Sequence, residues 1–231
     1  MVEVKLWGDH ALFTRPEAKV ERVSYDVMTP SAARGALEGI LWRPAFKWHI
    51  REIAVLKPIK RFSLLRNEVN SLASSRSARA WQASGGGFNA DEDRAQRHSL
   101  FLKDVAYLIK ADIVMQPHVT EPLAKYVEMF NRRVQKGQCH HQPYLGTREC
   151  SAYFAPPDGS ETPIELTSDL GRMLFDIEFQ PARNGRLNYI SHGGSGPGKV
   201  VRGTALPRFF HASLRNGVLT VPPELYARSG S

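Results

Sequence analysis

Apolar and polar residues along the chain repeat with two periods, and their order predicts the elements. Val2 to Leu6 alternate as a half-buried strand does, and Trp7-Gly8-Asp9 is expected to end it. After a short extended approach at Asp26-Val27-Met28, Thr29 reads as a helix N-cap with Pro30 at the first helical position. That helix runs through Ala32, Leu37, Ile40 and Leu41 toward Trp42, and Arg43-Pro44 breaks it. Phe46 to Ile59 has strand character, but Trp48 and Ile50 share one parity while Ile53 and Val55 share the other. A bulge or register change near Arg51-Glu52 is therefore expected. Residues 71–98 are rich in Ser, Ala, Arg and Gly without a sustained period, and read as a long mobile insertion. Gly85-Gly86-Gly87 within it is not a phosphate loop, because no strand precedes it and no Gly-Lys-Ser/Thr follows.

Phe101 to Met115 is the clearest strand, with Phe101, Val105, Tyr107, Ile109, Ala111, Ile113 and Met115 on one parity and Lys103 the exception. A helix over 120–137 follows, with Thr120 as N-cap, Glu121 as a first-turn anion, Pro122 with its preset φ, and Gly137 as the stop. Leu123, Val127, Phe130 and Val134 form its predicted core stripe, with Tyr126 and Met129 alongside. A strand at 149–154 ends at Pro156-Pro157-Asp158-Gly159. Strand, helix, strand, strand, helix, strand is the order of a ferredoxin-like α+β domain, expected here over residues 1–157 with the insertion near 71–98. Residues 158–231 read as a smaller β-rich C-terminal domain with strands at 172–179, 199–210 and 217–222.

Composition narrows the class. Hydrophobic residues make up 42% and charged residues 23%, which suits a folded core and makes disorder not the default. No apolar run is long enough to span a bilayer, and the start reads as a strand, not as a signal peptide. Thirty-one Lys plus Arg against twenty-three Asp plus Glu give a formal +8, which favours a polyanionic partner. Two cysteines make no disulfide framework and fit a reducing cytoplasm.

The densest chemistry lies in residues 121–150. Lys125, Arg132, Arg133 and Lys136 fall largely outside the apolar stripe and give that helix a basic outer surface suited to phosphate. Lys60, Arg61 and Arg148 are weaker additions, and Arg76, Arg79, Arg94 and Arg97 of the insertion are candidates to order on RNA. His10, His49, His140 and His141 are candidates for proton transfer, each with a structural role as the competing account. Cys139, His140, His141 and Cys150 do not make a zinc set, because adjacent histidines rarely reach one metal and the Cys-x₂-Cys spacing is absent. No metal and no cofactor are expected.

Several short motifs together carry a resemblance. They are Gly8-Asp9-His10-Ala11-Leu12-Phe13, Ile40-Leu41-Trp42-Arg43-Pro44, Leu56-Lys57-Pro58-Ile59, Leu102-Lys103-Asp104-Val105-Ala106-Tyr107, and Arg132-Arg133 through Gly137-Gln138-Cys139 to Pro143-Tyr144-Leu145-Gly146-Thr147-Arg148-Glu149. The chain resembles the CRISPR-associated family five of subtype I-C, in the RAMP superfamily, over residues 2–157, and beyond that only in β-rich texture. The resemblance implies a metal-independent endoribonuclease that cuts CRISPR precursor RNA at the repeat hairpin. It also implies that the protein stays bound to the product as a subunit of the type I-C surveillance complex. Members described as active use a tyrosine near the end of the first helix and a Lys-His pair at the start of the second. Here the lysine corresponds to Lys125, while Leu41 stands at the tyrosine position and Tyr126 at the histidine position. Lys125 and Tyr126 are thus the candidate catalytic pair. The alternative function is a non-catalytic subunit that binds CRISPR RNA and double-stranded DNA; a generic basic RNA-binding protein is a third.

Overall fold

The longest apolar alternation in the chain becomes the spine of one antiparallel sheet. In the computed structural model, residues 1–18, 20–71, 74–192 and 198–227 are described. In chain order the elements are β1 (Val2–Ala11), α1 (Pro30–Ile40), β2 (Phe46–Val55), β3 (Lys60–Val69), α2 (Ser75–Ser84), β4 (Arg94–Met115) and α3 (Leu123–Gln135). They continue with β5 (Tyr153–Ala155), β6 (Ser168–Pro181), β7 (Leu187–Ser191), β8 (Lys199–Arg215), β9 (Val218–Thr220) and α4 (Glu224–Ala227). The nine strands follow the order β5-β1-β4-β2-β9-β8-β6, with β3 added on β4 and β7 on β8. The fold is mixed α/β, dominated by this sheet. Among the described residues no helix is long and apolar enough to cross a membrane.

β4 organises the sheet because it pairs in succession with three strands. Arg94 to Lys103 pair with β3 as a two-stranded arm, Leu102 to Ala111 pair with β1, and Tyr107 to Met115 pair with β2. The strand changes role at Asp104, whose φ of 54° is rare for a side-chain-bearing residue. That irregularity accounts for Lys103 as the exception in the alternation. The bulge expected near Arg51-Glu52 is present: Ile50 faces Ala111 and Glu52 faces Lys110, so Arg51 is the extra residue. The C-terminal strands join the same sheet through β9, which pairs with both β2 and β8.

Helices α1 and α3 cover one face. Ala33, Ala36, Leu37 and Ile40 of α1 are buried at helical spacing, and Thr29 caps its start by accepting the Ala32 amide at 3.2 Å. α3 buries Tyr126, Phe130 and Val134, whereas Leu123 is 45% exposed, so the apolar stripe is rotated by about one position from the predicted one. Its N-cap is Pro122, with no side-chain cap, and not Thr120. Gly137 does terminate the helix, with a φ of 61°. The Phe130 ring lies 4.9 Å from Trp48 of β2, and Tyr126 lies 5.3 Å from Phe46, which pins α3 across the β2 end of the sheet.

Other expectations shift. β1 continues past Trp7-Gly8-Asp9 to Ala11. In the segment expected to lack regular structure, α2 forms at Ser75–Ser84, with Ser74 accepting the Ser77 amide at 3.0 Å, and β4 begins at Arg94. α2 buries none of its residues, so no core period marked it in the sequence. Leu72 and Ala73 of that segment, and 193–197 of the Ser191 to Gly198 turn, lie outside the described residues. Because Phe130 is fully buried on Trp48, Phe130→Ala is expected to lower unfolding free energy by about 3–5 kcal/mol. Urea titration followed by circular dichroism checks this, and a loss below about 1 kcal/mol would contradict the packing of α3.

Candidate active site

The C-terminal end of α1 is where distant segments meet. A helix leaves its last carbonyls without intrahelical partners, and here three successive ones are satisfied from outside. Gly39 O accepts the His140 and His141 amides at 2.9 and 3.2 Å, Ile40 O accepts Arg133 Nη1 at 2.5 Å, and Leu41 O accepts Trp48 Nε1 at 3.0 Å. Gly39 permits the close approach of that loop: a Cβ there would meet His141 O at 3.3 Å and Pro143 Cα at 3.5 Å. The Arg133 cation also suits the negative end of the helix dipole. The arrangement locks α3, the 138–143 loop and β2 to one point.

Directly after that point the chain exposes Trp42 and Arg43. The His192 ring, delivered from beyond β7, packs edge-on against Trp42 at a centroid distance of 5.1 Å. The positive charge of Arg43 acts on Tyr126 of α3 and, as the weakest influence there, favours its ionised form. At that head Glu121 accepts hydrogen bonds from both Lys125 Nζ and Tyr126 Oη. These bonds, Lys125 first, hold the Glu121 carboxyl below the usual range. The same carboxylate, then burial, pushes the Tyr126 phenol up, so it stays protonated near neutrality. Lys125 and Glu121 are about half exposed, while only 4% of Tyr126 is accessible.

The predicted site residues divide between two ends of the sheet. Tyr126 sits on Phe46, which pairs with Met115, whereas His10 and Lys60 both pair with Lys103 and Arg61 pairs with Leu102. Lys103 and Met115 are a dozen residues apart on β4, which corresponds to ~40 Å of strand. His10 packs on Phe62, Lys60 pairs with Asp104 at 3.7 Å and Arg61 with Asp26 at 2.6 Å. Arg148 is exposed in the loop whose Leu145 carbonyl takes the Leu12 amide at 3.0 Å, beyond the far end of β1. His49 points to the face opposite α1 and α3 and stacks on Tyr226 of α4 at 4.0 Å; burial, then the nearby Arg51 and Lys47, lowers its pKa. His140 and His141 are exposed beside the end of α1. Arg132 and Lys136 are exposed, and among the described residues neither they nor Arg148 lie within ion-pair distance of a carboxylate. Among the described residues no group of three or more His, Cys, Asp or Glu is arranged to hold a metal ion.

Sequence reasoning did not single out Glu121, Arg43, Trp42 or His192, which the structure places in or beside the candidate site. Glu121 carried a signal, since a carboxylate four residues before a lysine on a helix faces it. His192 carried none, because its contact with Trp42 spans the whole chain topology.

Comparison with known proteins assigns the architecture. Two solved structures share the fold. One, described as a CRISPR-associated protein, has a TM-score of 0.63 and 22% identity, covering 97% of this chain and 92% of that one. The other, a functionally uncharacterized protein from Streptococcus mutans, has a TM-score of 0.61 and 22% identity, covering 97% and 93%. A family model described as CRISPR-associated protein (Cas_Cas5), for the Cas5d group, matches residues 1–222. Relatives named CRISPR pre-crRNA endoribonuclease Cas5d occur in Thermus thermophilus, 51% identical over 227 residues, and in Mannheimia succiniciproducens, 43% identical over 235. The first alignment covers 97% of this chain and 93% of the relative, the second 96% and 95%. The chain belongs to the Cas5d family.

Because Arg133 caps Ile40 O while remaining half-buried, its removal acts on stability. Arg133→Ala is expected to lower unfolding free energy by about 1.5–3 kcal/mol, the range for a hydrogen bond to a charged group. Thermal denaturation checks this, with Arg132→Ala as the exposed neighbour expected to change little.

Proposed function

We propose that this protein cuts CRISPR precursor RNA at its repeat hairpin by attack of a 2′-hydroxyl on the adjacent phosphate, without a metal ion. It then stays on the product as a subunit of the type I-C surveillance complex in the cytoplasm. The two relatives named for this activity, matched over nearly their full length, support the reaction. The observation that carries its location is the exposed Lys125 in a hydrogen-bonded group with Glu121 and Tyr126, beside Arg43.

The chemistry asks for a cation where phosphate charge develops, a base for the 2′-OH and an acid for the departing 5′-oxygen. Lys125 supplies the charge, and Tyr126 takes part through its phenol. Arg132, Lys136 and Arg148 contact backbone phosphates along the helix face and the following loop, and Lys60 and Arg61 do so at the arm. Arg133 is mainly a helix cap in this reading. We further propose that residues 1–157 are the RNA-processing unit, ferredoxin-like by its strand order β5-β1-β4-β2 and its two helices on one face. Residues 158–231 are then a β-rich appendage.

If Lys125 acts mainly in the transition state, Lys125→Ala slows single-turnover cutting of repeat RNA about a hundredfold or more while affinity changes little. Cutting at the wild-type rate would remove the reaction from the head of α3. Binding without any cutting by the wild-type protein would favour the non-catalytic subunit instead.

A further inference from the structure

We infer that Glu121 is the general base of the cleavage step, with Lys125 as its paired acid and Tyr126 as the residue that holds the carboxylate in position. The inference rests on the reading that RNA is cut at the head of α3. Tyr126 has its ring in the core against Phe46, and only its hydroxyl reaches the site, where Glu121 takes it. Glu121 and Lys125 are the groups at this helix head that open to solvent and therefore to a substrate.

A carboxylate has about four lone-pair positions, and the bonds from Lys125 and Tyr126 occupy two of them. The remaining ones are free to accept the 2′-OH proton. A carboxylate beside a phosphate otherwise opposes binding, since like charges repel. On a basic surface built for RNA, an exposed acid held by two donors therefore needs a reason other than affinity.

The step balances within this pair. The 2′-OH proton passes to Glu121 as the new O2′–P bond forms. The P–O5′ bond breaks, and the leaving 5′-oxygen takes a proton from the Lys125 ammonium. Neutral Lys125 then recovers a proton from the Glu121 carboxyl across their existing contact, so both groups return to their starting charge. The products are a 2′,3′-cyclic phosphate and a 5′-hydroxyl.

The titratable group facing the pair is Tyr126 from α3, on which Arg43 from the turn after α1 acts in turn. Lys125 and Tyr126 both favour the carboxylate, so Glu121 remains ionised through neutral pH and below the ordinary carboxylate range. The sign follows: base catalysis is present above that lowered pKa and is lost only as pH falls through it. An imidazole base would begin to lose activity already near its pKa of about 6.5.

The test is single-turnover cleavage of a repeat-hairpin RNA by the full chain, with binding measured alongside. Wild-type rates are expected to stay level from about pH 8 to about pH 5. Glu121→Gln should cut about 10²–10⁴-fold more slowly. It should bind RNA at least as tightly, because a negative charge is gone. Glu121→Asp, which keeps a carboxylate, should recover part of the rate. Tyr126→Phe should lose about ten- to a hundredfold, in proportion to how far it misplaces the base, with thermal stability nearly unchanged. Glu121→Gln cutting at the wild-type rate while Lys125→Ala is slow overturns the inference and leaves the site standing. A rate that falls tenfold per pH unit below about 6.5 overturns it in favour of a histidine. Wild-type cutting by both Glu121→Gln and Lys125→Ala overturns the location of the reaction itself.

Discussion

Three buried carbonyls at the end of one short helix hold together the elements that carry the proposed active site. Gly39, Ile40 and Leu41 cannot be left unpaired in a site walled by Trp48 and Phe130, since a buried unsatisfied carbonyl costs about 1–3 kcal/mol. Amides of the 140–141 loop, the Arg133 guanidinium and the Trp48 indole supply the partners, and each comes from a different element. Satisfying them fixes the distance between α1 and α3. That spacing also sets the head of α3, with Glu121 and Lys125 open to solvent, relative to the end of α1.

Local pairing sorts the positive charge. A formal +8 describes the whole chain, but its cations do different work. Arg34 lies between Glu38 and Asp176 at 2.8 and 2.6 Å, Arg51 is held by Asp112 at 2.6 Å, and Arg66 by Glu149 at 2.6 Å. Arg133 caps a helix. Arg132, Lys136 and Arg148 remain exposed, and they follow the helix face and loop that lead away from the Glu121–Lys125 pair. In the proposed function a polyanion lying on them meets the pair at one end of its track.

Features set by a few neighbouring residues were legible in the sequence. Thr29-Pro30 marked the start of α1, the parity change between Ile50 and Ile53 marked the bulge at Arg51, and Gly137 marked the end of α3. The buried stripe of α3 was misread by one position because Leu123 and Tyr126 are both apolar. Only the partners Phe46 and Trp48 decide between them. The 22-residue length of β4 was hidden because its first residues belong to an arm with polar side chains on both faces. For the candidate site, Lys125 and Tyr126 were proposed from motif resemblance. Glu121 was read only as a helix-favouring anion, and Arg43 acts on Tyr126, and His192 packs on Trp42, only through tertiary folding.

The claim that the protein itself performs 2′-hydroxyl attack is tested most directly by the ends it leaves. Purified wild-type protein incubated with repeat-hairpin RNA in EDTA, with fragments resolved by mass spectrometry, is expected to yield one cut. That cut carries a 2′,3′-cyclic phosphate on the upstream fragment and a 5′-hydroxyl on the downstream one. A requirement for divalent metal, or fragments with a 3′-hydroxyl and a 5′-phosphate, would contradict the account, because water or hydroxide and not the neighbouring ribose would then be the nucleophile.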